Sequence, residues 1–128
     1  MDDNDDNSKY NKTLIAKEKN DILQLLRNPP KIIRQLHTKL KKYRYIDNLN
    51  HLDLGRYIRW INISISPSKL YNGAFLSNII EDDDDNIYLL LINSYKQLLK
   101  IKMEECIVFQ LLTDDELLII NSLHRKNS

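Results

Sequence analysis

The chain has 128 residues, 42% of them hydrophobic and 29% charged, with a formal net charge of +1, which is the composition of a globular domain large enough to bury a core. Its longest apolar stretches, Ile87–Ile92 and Cys106–Phe109, are too short to cross a bilayer as helices, its acidic start does not read as a signal peptide, and a lone cysteine, Cys106, cannot close an internal disulfide. The small net charge hides a sorting: nine Lys/Arg against two acids lie between Arg27 and Arg59, while acids gather in Asp2–Asp6 and Glu81–Asp85, so charged partners are expected.

Residues 1–11 are polar and acidic and are expected to form a disordered arm, with residues 12–128 as a single domain. Thr13 is placed to cap a first helix over Leu14–Arg27, with Ile15, Ile22 and Leu26 on one face. Asn28-Pro29-Pro30 ends it, because a residue before proline resists the α region. Pro30 suits the first turn of a second helix that is expected to run to Tyr45. In that helix Ile33, Leu36, Leu40 and Tyr43 form a buried stripe. At about 100° per residue, Lys31, Arg34, Lys41 and Lys42 face the other way, and Tyr45 joins them. Helices are thus expected over 14–45.

Beyond His51 the period changes. Ile61, Ile63 and Ile65 alternate with Asn62, Ser64 and Ser66, which predicts a half-buried strand over Arg56–Ser66. Asn72-Gly73 is a turn signal before a strand at Ala74–Ile80. Glu81–Asn86 reads as a charged loop, Ile87–Ile92 as a strand, Asn93–Lys96 as a turn, Leu98–Met103 and Cys106–Leu112 as two more strands. Thr113 and Glu116 form a capping box for a short C-terminal helix over 114–124. The fold class is therefore α+β: two N-terminal helices packed on a small five-stranded antiparallel SH3-like barrel over 55–112, with an OB-like barrel as the competing topology.

The candidate binding residues are Lys31, Arg34, Lys41, Lys42, Arg44 and Tyr45 around the second helix, and Arg56 and Arg59 on the first barrel strand. Basic side chains there can neutralise phosphates while Tyr43, Tyr45 or Tyr57 stacks on a base. The same face can equally solvate the helix or dock on an acidic protein surface, and Trp60 reads as a core or interface anchor. Glu81–Asn86 lacks the glycine and the closing glutamate of a calcium loop, so a solvated hairpin turn is expected. His37, His51 and His124 show no metal-ligand spacing. Two glycines cannot build a phosphate-cradling loop, and no nucleophile stands in a recognisable setting. No catalytic residue, metal or cofactor is expected, and the chain does not read as an enzyme.

Gly55–Ile61 (GRYIRWI), Gly73–Leu76 (GAFL), Ile87–Asn93 (IYLLLIN) and Cys106–Phe109 (CIVF) together resemble a pattern in short, poorly characterised proteins of nucleocytoplasmic large DNA viruses. The bias toward Ile, Asn and Lys, with a single valine, is similar too. The acidic run Glu81–Asp85, and Ala74 where a second glycine is expected, depart from that pattern. The resemblance implies a virion or minor capsid-associated component, found in the virion or in the infected-cell cytoplasm. Its partners are then other virion or assembly proteins, or a second copy of the chain, with no membrane involved. The alternative expectation is a nucleic-acid-binding accessory protein that uses the basic helix face and the Arg56–Arg59 strand.

Overall fold

A computed structural model describes residues 10–126. The expected acidic arm lies almost wholly outside the described residues. The Cα trace divides into two compact units, Tyr45–Leu111 on one side and the flanking segments through Arg44 and from Leu112 on the other. Among the described residues, three α-helices and six β-strands make up an α+β arrangement.

The helical unit opens with α1, Lys12–Gln24. Its cap is Asn11 and not Thr13: the Asn11 side chain accepts from the Leu14 N–H at 2.9 Å. The helix ends short of Arg27, which adopts a left-handed φ of 56° before the two prolines. α2 spans Pro30–Lys39, with proline in its first turn as expected. Ile33, Leu36, Leu40 and Tyr43 are all buried, but only the first two lie within the helix. The expected helix over 14–45 is thus corrected at its end. The chain turns at Leu40–Lys42, and Tyr-Arg-Tyr-Ile, rich in β-favouring residues, extends as strand β1, Tyr43–Ile46. The last helix, α3, covers Asp114–Lys126. Its capping box is formed: the Glu116 N–H donates to Thr113 Oγ1 at 3.1 Å, and the Thr113 N–H donates to Glu116 Oε1 at 2.9 Å. Ile15, Leu112 and Ile120 form a buried cluster with Tyr10 and Leu117 against it.

The sheet unit carries β2 (Tyr57–Asn62), β3 (Ala74–Glu81), β4 (Ile87–Ile92), β5 (Leu98–Lys102) and β6 (Cys106–Leu111). With β1 they form one six-stranded antiparallel sheet in the order β1-β6-β2-β3-β4-β5. The sheet is open, with β1 and β5 as its edges, so the expected five-stranded closed barrel is corrected to six strands without closure. The sixth strand is the segment assigned to the helix. β2 is also shorter than the alternation of isoleucines implies. The Asn62 side chain accepts from the Ser64 N–H at 2.9 Å and the Ser64 hydroxyl at 2.6 Å, which turns the backbone out of the ladder. Ile63 and Ile65 are left 52% and 49% exposed.

One sheet face carries a continuous core cluster, and Ile61, Ile107 and Phe109 are buried on the other. Ile58, Trp60, Ala74, Leu76, Leu89, Leu91 and Val108 are buried together, joined by Ile46 and Leu52. At roughly 1.5–3 kcal/mol per fully buried large aliphatic side chain, this cluster is the main source of stability in the unit. Gln110, 2% exposed, is the polar exception. Its Oε1 accepts from the Asp53 N–H at 2.9 Å and its Nε2 donates to the His51 carbonyl at 3.0 Å, pinning the 49–53 segment.

Candidate functional site

The eight candidate residues divide into an exposed set and an engaged set. Lys31 and Arg34 are exposed on α2, and Lys41 and Lys42 are exposed in the turn that follows it. No carboxylate among the described residues lies within ion-pairing distance of these four. The other four are engaged in their own fold. Arg44 is buried at 6% exposure, in a strand where Tyr43 and Ile46 are buried as well. Tyr45 is half-buried, its ring 6.1 Å from that of Phe109. Arg56 Nη1 donates to the Leu111 carbonyl at 3.1 Å and Arg56 Nη2 pairs with Asp53 at 3.0 Å. Arg59 Nε donates to the Tyr71 carbonyl at 3.0 Å. Arg44 is thus buried, while Tyr45, Arg56 and Arg59 are half-buried.

The acidic run is a hairpin turn, as expected. Asp82 Oδ1 accepts from the N–H groups of Asp84 at 2.9 Å and Asn86 at 3.0 Å, and Asp85 takes a left-handed φ of 65°. The Asn86 backbone N–H, more than any other group, holds the Asp82 carboxyl below its ordinary range. No cluster of three or more metal-ligating side chains occurs among the described residues. Burial, assisted by the Glu105 charge, pushes the Cys106 thiol up to about 11, the opposite of what a nucleophile needs.

Two features of the sheet unit emerge only from strand register. The first is a cross-strand row. Tyr57 pairs with Phe75, Phe75 with Ile92 and Ile92 with Leu98, and direct cross-strand partners share a face. This face is opposite to the one carrying Ile58 and Ala74, which pair with each other in the core. Phe75 is 49% exposed, Ile92 36% and Leu98 65%, so apolar side chains cross β3, β4 and β5 in an uncovered line. Tyr57 anchors its end, its ring 5.1 Å from Phe75 in edge-on contact.

The second feature is a cleft of about 560 Å³ at the end of the sheet, lined by the Lys69–Gly73 segment, the turn between β4 and β5, and Tyr57, Trp60 and Leu99. Tyr71 stacks on Trp60 with ring centroids 5.4 Å apart and planes 13° from parallel. The Tyr71 N–H donates to the Trp60 carbonyl at 2.8 Å, and Lys69 Nζ sits 4.9 Å from the Tyr71 ring centroid. Gly73 lets the Tyr57 ring lie against the backbone, since a Cβ at this position would overlap the ring. Individual residues of both features, Tyr57 and Trp60 above all, stand out in the sequence. Their grouping depends on pairings between strands far apart in the chain.

No protein-family model, curated protein or solved structure matches this chain. Among the described residues no helix is long and apolar enough to cross a membrane.

Proposed function

We propose that this chain is a non-enzymatic structural or assembly protein that acts through protein–protein contacts. The observation that carries the reading is the row Phe75–Ile92–Leu98, contiguous across three strands and exposed on a sheet whose opposite face is a full core. Isolated exposed apolar residues are ordinary, whereas an aligned set spanning several strands is the kind of patch that a partner covers. Arg44, Arg56 and Arg59, which a phosphate-binding surface needs at the surface, are buried or bonded within the chain. The virion or minor-capsid setting rests on the sequence resemblance alone.

The reading is tested by affinity capture from native extract, with and without nuclease, using the wild-type chain and Ile92→Asp/Leu98→Asp. Protein partners that survive nuclease and are lost with the double variant support it. Capture that disappears with nuclease and is indifferent to the double variant overturns it.

A nucleic-acid-binding reading has one observation in its favour, the exposed and unneutralised set Lys31, Arg34, Lys41 and Lys42. It requires that Lys41→Glu/Lys42→Glu lower the affinity for nucleic acid and flatten its salt dependence by about one unit of slope for each phosphate contact removed.

A further inference from the structure

The aromatic cleft is separate from the exposed row in its outer residues and has a chemistry of its own. Four aromatic side chains, Tyr57, Trp60, Tyr71 and Tyr95, contribute to its lining. Tyr95 stands 82% exposed at the rim, while Tyr71 is fixed from both sides by its stacking on Trp60 and by the Arg59 Nε donating to its carbonyl. Rigid aromatic surface of this kind loses little entropy when a ligand covers it. Trp60 is 6% exposed, and its indole N–H, which is bonded to no described residue, is not shielded from solvent, so it is a donor that a ligand can reach. Asn72 and Gln97 add side-chain amides to the lining. The site therefore offers flat apolar faces and donors.

Charge narrows the ligand. Lys69 is the one charged residue in the lining, and the sheet unit as a whole, Tyr45–Leu111, has six Lys/Arg against nine Asp/Glu. A polyphosphate chain needs several cations along its path and is repelled by such a unit. A cationic peptide finds no carboxylate in the cleft to pair with. What fits is an uncharged extended peptide whose backbone is rich in acceptors and poor in N–H groups. A polyproline II segment meets this description: its rings stack on aromatic faces, its carbonyls accept, its prolines bring no N–H to be satisfied, and its conformation is preformed. We propose that the cleft between the Lys69–Gly73 segment and the β4–β5 turn is the seat for a proline-rich segment of a protein partner. This rests on the reading of the chain as a protein-docking module and names one class of partner for it. The cleft's volume, about 560 Å³, lies in the ordinary range of ligand pockets.

Trp60 is the only tryptophan of the chain, so its emission reports directly on the cleft. The full-length protein is titrated with an acetylated oligoproline, with a glycine-serine peptide of the same length and with oligothymidine. The expected result is a saturable change in Trp60 emission with oligoproline alone, weakened about tenfold or more by Tyr95→Ala. Tyr95 is so exposed that the variant leaves the thermal unfolding curve in place. No saturable response to oligoproline, or an equal response to the glycine-serine peptide, overturns the assignment, and a preference for oligothymidine replaces it with single-strand stacking. Ile92→Asp/Leu98→Asp lies outside the cleft lining and keeps oligoproline binding. If oligoproline fails while partner capture still depends on Ile92 and Leu98, the cleft assignment alone falls and the docking function stands.

Discussion

The ammonium of Lys19, on α1, donates to the carbonyl of Leu40 at 2.9 Å and to that of Tyr43 at the same distance. Those carbonyls lie where α2 has ended and β1 begins, and a helix end leaves acceptors without intrahelical donors. Lys19 satisfies the transition from a neighbouring helix while itself 9% exposed. Desolvation holds its ammonium below the ordinary value of 10.5. Lys19→Met keeps the stem and removes the donors. It is expected to destabilise the protein by about 1 kcal/mol, the loss of two buried hydrogen bonds being partly offset by removing a desolvated charge. The pH dependence has a definite sign. The folded chain binds fewer protons than the unfolded one between the lowered value and 10.5, so the wild type gains on Lys19→Met as pH rises toward 10.5. Urea unfolding of both proteins across that interval measures it, and a gap that narrows with rising pH rules the account out.

His37 gives the corresponding signal in acid. Its Nε2 is 2.9 Å from Asn20 Oδ1, and burial, followed by the Lys19 charge, lowers its pKa below the ordinary 6.5. Above 6.5 the ring is neutral in both states and contributes no pH dependence. Below it the unfolded chain protonates first, so folding stability falls as pH drops through the lowered value. His37→Gln removes this component. Thermal unfolding midpoints of the two proteins are expected to diverge as pH falls below 6.5, with the wild type losing more.

Much of the element order is legible in the residues, because β3, β4, β5 and β6 are short apolar segments bounded by Asn, Gly and acidic turns. The two places that mislead share a cause. Ile33, Leu36, Leu40 and Tyr43 keep helical spacing across a true helix end, since a buried stripe can pass from a helix into a strand without losing its apolar residues. Lys19 sits on the buried face of α1 between Ile15 and Leu23, where a lysine reads as an interruption until Leu40 and Tyr43 bring it acceptors. The candidate arginines have partners that are hard to foresee for a similar reason. Arg56 and Arg59 look exposed because their partners, Leu111 and Tyr71, are carbonyls that no side-chain pattern announces.

Cys106 tests whether the edge of β6 is as shielded as its thiol indicates. With a pKa of about 11, the thiolate is about one part in a thousand near pH 8, and the thiolate is the reactive species. Alkylation of the folded protein is expected to run far slower than that of the protein in denaturant. Glu105→Gln removes the charge that assists burial and is expected to quicken it modestly. Equal rates in the folded and unfolded protein contradict a shielded thiol.

Gly73 carries the most local prediction. Its φ is unexceptional, so the glycine is there for space: a methyl group at residue 73 meets the Cε2, Cζ and Cδ2 atoms of Tyr57. Gly73→Ala therefore forces the Tyr57 ring aside, breaking its edge contact with Phe75 at 5.1 Å and one wall of the cleft. Overpacking of this kind is expected to cost about 1–3 kcal/mol. The cause is separable from any effect on the unfolded chain by a double-mutant cycle. In a Tyr57→Ala background the methyl has nothing to displace, and Gly73→Ala becomes neutral or slightly stabilising through the reduced freedom of the unfolded state. Chemical denaturation of the four proteins measures the coupling. Additive costs mean that residue 73 is glycine for a reason other than the ring beside it, and the wall of the cleft is then not held where Tyr57 and Gly73 meet.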